Sequence, residues 1–180
     1  METCKNSPNL TCPTLTFTPE QLEYYVGLGA KEGMPVMIKK IMVDNIDILE
    51  RGVWCTDPSR AIYIIKENGI FIKDFNGQRL LDIIMPGLED LFTEELDIYR
   101  ASISKRNTFI PTTALVKLDQ RQTMAVQIRN KKIRKSIAHE LASSFGFNRN
   151  EILNKLEDAN FDNINIIFDN KPKCTIEEIE

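Results

Sequence analysis

Apolar positions in this chain change period as it proceeds. Leu22, Tyr25, Val26 and Leu28 fall on one helical face, and Met37, Ile38, Ile41, Met42 and Ile46 on another. Thr18-Pro19-Glu20-Gln21 predicts the first helix start: threonine can cap, proline suits the first helical position, and Gln21 completes a capping box. Gly29 is expected to end that helix, and a second is expected to open near Pro35. After Arg51 the pattern becomes that of strands. Val53-Trp54-Cys55 reads as a short strand and Thr56-Asp57-Pro58-Ser59 as a turn. Ala61–Lys66 and Ile70–Asp74 are β-rich runs joined through Glu67-Asn68-Gly69, a hairpin signal because Asn and Gly both tolerate positive φ.

Helical spacing then returns through Leu80, Leu81, Ile83, Ile84, Leu88, Leu91, Phe92 and Leu96, with Pro86-Gly87 expected to break the segment in two. Residues 101–117 contain Pro111 and several threonines and read as a connection. From Asp119 the helical period resumes, and Ile133, Ile137, Leu141 and Phe145 make a stripe at steps of four. Gly146 is expected to stop it, and Asn148 with Glu151 to start another helix. Ile164–Phe168 and Cys174–Ile179 read as two strands about an Asn170-Lys171-Pro172 turn.

These elements predict an α+β fold: a helix pair with a small antiparallel sheet, followed by a mainly helical part with a terminal β-hairpin. The expected divisions are an N-terminal arm at 1–16, an α+β module at 17–99, a connector at 100–117 and a helical part at 118–180. The chain has 180 residues, enough to bury a core without disulfides or metal. Hydrophobic residues are 42% and charged residues 27%, which excludes a disordered or fibrous chain. No apolar run approaches the roughly 20 residues that a bilayer requires. The first residues lack the charged and apolar regions of a signal peptide, so an intracellular protein is expected.

Candidate chemistry is sparse. The four cysteines, Cys4, Cys12, Cys55 and Cys174, contain no C-x-x-C pair, and His139 is the single histidine. That spacing predicts reduced thiols and no structural metal. No glycine-rich phosphate loop occurs, and no catalytic constellation is evident, so no cofactor, no small-molecule substrate and no enzymatic activity are expected. Tyr24, Tyr25 and Trp54 are expected to pack within the first module.

Charge changes the picture more. The net charge is −3, which argues against coating nucleic acid by bulk charge. It is segregated, however. Residues 81–99 carry six acids and no base, 100–135 ten bases and one acid, and 151–180 eight acids and three bases. The basic portion peaks at Arg129-Asn130-Lys131-Lys132-Ile133-Arg134-Lys135. It reads either as a phosphate-contacting face or as a solvated helix face balanced by the acidic segments around it. Residues 136–157 add a helix–turn–helix-like stretch, with small Ala142, a turn at Gly146 expected to need positive φ, and Arg149, Asn150, Asn154 and Lys155 offered to a groove. Glu151, Glu157 and Asp158 oppose phosphate there.

Leu15-Thr16-Phe17-Thr18-Pro19-Glu20-Gln21-Leu22-Glu23-Tyr24, Glu50-Arg51-Gly52-Val53-Trp54-Cys55-Thr56-Asp57 and Ile62-Tyr63-Ile64-Ile65-Lys66 together resemble an uncharacterised module of large nucleocytoplasmic DNA virus proteins. The resemblance covers about residues 12–100. Some relatives carry a zinc finger or coiled coil ahead of the module; Cys4 and Cys12 lack the paired ligands for such a finger. The resemblance implies no activity or catalytic residue, and a location in the virion or the host cytoplasm. The expected function is therefore a non-enzymatic interaction or assembly protein, docking to a protein partner or to another copy through segregated charge. Its expected contacts are Arg129, Lys131, Lys132, Arg134, Lys135 and Arg149. The alternative is a duplex-DNA-binding protein using the basic unit at 129–155.

Overall fold

The computed structural model describes residues 7–44, 46–105 and 109–146. Helix α1, Pro19–Met42, begins with the capping box: Thr18 Oγ1 accepts from the Gln21 amide at 3.3 Å, and Gln21 Oε1 accepts from the Thr18 amide at 2.9 Å. Gly29 does not release the chain into a loop. At φ 75° and ψ 170° it kinks the helix, which resumes at once and carries Pro35, buried, within its second half. A single glycine in that conformation redirects the axis without a connecting segment.

Strands β1 (Val53–Asp57), β2 (Ile62–Glu67) and β3 (Ile70–Phe75) form an antiparallel sheet in that order. The expected hairpin joins β2 to β3, with Asn68 and Gly69 at φ 51° and 77° and Glu67 opposite Ile70. The turn expected at residues 56–59 lies later in the chain, because β1 extends to Asp57 and a 3-10 turn spans Pro58–Arg60. Asp57 starts that turn by accepting from the Arg60 amide at 3.2 Å.

Helix α2, Gln78–Ser104, is continuous through Pro86 and Gly87, where a break was expected. Pro86 lies on the exposed side, so the carbonyl it leaves without a helical donor belongs to exposed Asp82. Buried Leu80, Leu81, Ile84, Met85, Leu88, Phe92 and Leu96 hold both halves of α2 to one core. Residues 100–104 complete this helix, and 112–117 open α3, Thr112–Gln127, so the stretch expected to connect is helical at both ends. Helix α4, Lys131–Ala142, is capped by Asn130, whose Oδ1 accepts from the Lys132 amide at 2.9 Å.

One core runs through the four helices and the first two strands. It includes Met34 and Ile38 of α1, Val53, Tyr63 and Ile65 of the sheet, Ile84 and Leu88 of α2, Met124 of α3, and Ile137 and Leu141 of α4. Of the aromatics expected to pack, Tyr25 and Trp54 are buried, but Tyr24 is 58% exposed. The residues before α1 form an extended strap. Leu10 is buried and its amide donates to the Lys66 carbonyl at 2.6 Å, while Asn9 Oδ1 accepts from the Gly69 amide at 2.8 Å. The strap passes over two glycines: a Cβ at Gly52 would stand 2.6 Å from the Leu10 nitrogen, and one at Gly87 2.7 Å from Cys12 Sγ. The two strands expected at 164–179 lie outside the described residues.

Candidate functional site

The basic segment folds into the end of α3, the link after it and the first turns of α4, beside acidic α2. Glu89 of α2 receives two of its arginines. Arg129 Nε approaches Glu89 Oε2 at 3.3 Å, with the Arg129 guanidinium also donating to Thr93 Oγ1 at 3.2 Å. Arg134 pairs with Glu89 Oε1 and donates from Nε to the Ile128 carbonyl at 2.9 Å. Arg134 is half-buried in this role. It was expected to face a partner; instead it ties α4 to α2, because a planar guanidinium can serve a carboxylate and a carbonyl together. Arg129 remains exposed, yet it shares the same carboxylate.

The acidic segment also reaches α3. Arg121, 4% exposed, donates to Glu95 at 3.2 Å and to the Lys117 carbonyl at 3.2 Å, and lies 4.1 Å over the Tyr99 ring. Glu23 of α1 approaches Arg121 at 3.9 Å and pairs with Lys117, whose hydrogen bond holds the Glu23 carboxyl below the usual carboxylate range. Much of the charge segregated along the sequence is thus recombined in space.

What remains is a smaller basic face. Lys131, Lys132 and Lys135 are exposed on α4, and none makes an ion pair with another described residue. Lys131 and Lys135 stand one helical turn apart, and exposed His139 continues their row. The opposite side of the helix is buried through Ile137, Ala138 and Leu141. Lys131 and Lys132 occupy the first turn, where the helix dipole disfavours cations; Lys39 and Lys40 occupy the last turn of α1, where it favours them. Local helix stability therefore accounts for the second pair and not for the first.

Residue Arg149 and the second half of the helix–turn–helix-like unit lie outside the described residues. The turn expected at Gly146 is not of the required kind. Gly146 lacks positive φ and forms a parallel bridge with Cys55, and the preceding Phe145 carbonyl accepts from the Cys55 amide at 2.7 Å. The chain leaving α4 is therefore tied to the free edge of β1.

Cys55 is buried, and burial pushes its thiol up, away from the thiolate; Cys12 lies exposed in the strap. Among the described residues no group of three or more His, Cys, Asp or Glu could hold a metal ion, and no helix is long and apolar enough to cross a membrane.

Residue-by-residue inspection of the sequence does not single out Glu89, yet it organises the site. Its signal is indirect: an acidic segment without a base immediately preceding a longer basic one. No protein-family model matches the chain, and it matches none of the curated proteins or solved structures with which it was compared.

Proposed function

We propose that this chain is a non-enzymatic interaction or assembly protein that docks an acidic partner on the exposed face of α4. The observation that carries this reading is the set Lys131, Lys132 and Lys135, exposed and without an ion pair to another described residue, while neighbouring arginines are consumed by Glu89. Three ammonium groups on a rigid helix favour encounter with a complementary surface and fix its register more than they add bulk affinity. The resemblance of residues 12–100 to a module of large DNA virus proteins supports a place in the virion or at a replication site in the host cytoplasm. The second reading is duplex-DNA binding by the same lysines. It is favoured by their position in the first turn of α4, at the positive end of the helix dipole.

Fluorescence anisotropy of the full chain with labelled poly-glutamate and, separately, labelled duplex DNA tests both. Reversal of Lys131, Lys132 and Lys135 to Glu is expected to weaken poly-glutamate binding by on the order of tenfold or more at low salt, with the circular dichroism spectrum unchanged. Binding that survives this reversal would overturn the proposal. Tighter binding to duplex DNA than to poly-glutamate, with a steep salt dependence, would favour the second reading.

A further inference from the structure

The sheet has two edges, and the fold closes one of them. On β1, the Cys55 amide donates to the Phe145 carbonyl and Cys55 bridges Gly146. Strand β3 has no strand on its outer side among the described residues. Glu67 and Ile70 flank the two-residue Asn68-Gly69 turn and so exchange hydrogen bonds. Along an antiparallel pair, residues bonded in this way alternate with residues whose N–H and C=O point away from the neighbour. On β3 the inward set is Ile70, Ile72 and Asp74, and the outward set is Phe71, Lys73 and Phe75. No described residue bonds the backbone groups of that outward set. Ile70, Lys73 and Phe75 are exposed, so the row of donors and acceptors lies open along the strand.

Proteins blunt such an edge with proline, a bulge or charge. Residues 70–75 hold no proline, and their register against β2 runs without a bulge. Charge alone remains. Asp74 turns into the fold to hold the start of α2, which leaves Lys73. The register puts Lys73 on one face with Phe71 and Phe75 and, from β2, Ile62, Ile64 and Lys66. This face of the hairpin therefore carries two ammonium groups and no carboxylate. The Lys73 ammonium lies 5.0 Å from the Phe75 ring centroid, and that of Lys66 5.7 Å from the Phe71 centroid. A second copy, paired antiparallel through all three outward residues, would set its own Lys73 directly against this one, and like charges so placed are destabilising. A carboxylate in the same place is complementary.

We propose that the free edge of β3 receives an extended acidic segment of a partner protein as a fourth, antiparallel strand. The partner residue opposite Lys73 is Asp or Glu, and those two positions to either side are apolar and lie against Phe71 and Phe75. Main-chain hydrogen bonds to the outward set supply affinity, and the alternate side chains supply selectivity. The site uses none of the α4 lysines and stands or falls independently of them.

The peptide Thr-Val-Thr-Glu-Thr-Val-Thr, blocked at both ends, presents that pattern, and titrating it into the full chain tests the proposal. Amide exchange followed by nuclear magnetic resonance should slow by on the order of tenfold or more at Phe71, Lys73 and Phe75 when peptide saturates. The Ile70, Ile72 and Asp74 amides, already directed at β2, should not change. The same peptide with Lys for Glu should bind severalfold more weakly, and Lys73→Glu should invert that preference. Lys73→Pro removes an outward donor and spares the ladder to β2, so it should abolish binding with the circular dichroism spectrum unchanged. Absence of saturable binding up to about 1 mM peptide would overturn the proposal. So would binding that leaves those three amides fast, or that ignores the charge opposite Lys73. Slow exchange at the three amides without peptide, rising with protein concentration, would give the edge to a second copy and equally overturn it. Binding lost in the Lys131→Glu, Lys132→Glu, Lys135→Glu variant would belong to α4 and sink the β3 site alone.

Discussion

Asp74 shows how one side chain can join two layers. It lies in β3, 5% exposed, yet its carboxylate accepts from the Arg79 amide at 3.1 Å and the Leu80 amide at 3.0 Å, at the start of α2. The residue in the capping position itself, Gly77, has no side chain to do this. Asp74 therefore serves as a cap from a distance, placing negative charge where the helix dipole favours it. Asp74→Ala is expected to destabilise the protein by about 1–3 kcal/mol, since the buried Leu80 amide and the partly buried Arg79 amide lose their acceptor. Asp74→Asn should lose less, because one amide oxygen can still accept. Urea denaturation at neutral pH measures both. From the sequence alone Asp74 reads as the end of a strand. Its capping role depends on how the link between β3 and α2 turns back.

At the scale of elements, the strap before α1 is the piece whose placement is most contingent. Its prolines and polar residues read as a tail or an extended arm, and neither reading says where it packs. Where it lies is settled by two bare backbones, Gly52 and Gly87, which admit Leu10 and Cys12 closer than any side chain would allow. Pro86-Gly87 reads in sequence as a helix break for good reason, but in the fold the glycine is a notch and the helix continues. Gly52→Ala should displace the strap at a cost on the order of 1–3 kcal/mol. The expected consequence is faster hydrogen exchange at the Leu10 and Gly69 amides, which the strap's pairing protects, with amides inside α2 unaffected. Unchanged exchange at both amides would show that the strap accommodates the new methyl in place.

Across the whole molecule, Arg121 ties three helices. It sits on α3 and reaches Glu95 of α2 and Glu23 of α1, with Tyr99 beneath its guanidinium. Removing one partner of a buried pair leaves the other uncompensated, so Arg121→Ala should cost about 3–5 kcal/mol. A double variant that also carries Glu95→Gln should recover part of that loss, and chemical denaturation of both chains tests it. Acid acts on the same scale. The carboxyls of Glu23, hydrogen-bonded by Lys117, and Glu67, hydrogen-bonded by Arg79, are held below their ordinary values. A carboxyl with a lowered folded-state pKa stabilises the fold above its unfolded value, near 4.3. That contribution fades as pH falls through the folded value. The melting temperature should therefore hold from pH 7 to about 5 and decline below about 4, with a shallower decline in Glu23→Gln.

Much of this protein is determined locally, by residues that act within a few positions of one another. The capping box at Thr18 and Gln21, the Asn68-Gly69 turn and the stripe through Ile137, Leu141 and Phe145 follow from short-range hydrogen bonding, backbone freedom and helical periodicity, and need no partner elsewhere in the chain. The charge blocks are equally plain in the sequence. What tertiary structure alone decides is which charges meet. Glu89 lies 40 residues before Arg129 and 45 before Arg134, so no local rule joins them; packing α4 beside α2 does. The same packing half-buries Arg134 and leaves Lys131, Lys132 and Lys135 exposed. Opposite charges pair when the fold places them within reach, and those that packing leaves over make up the surface a partner can meet.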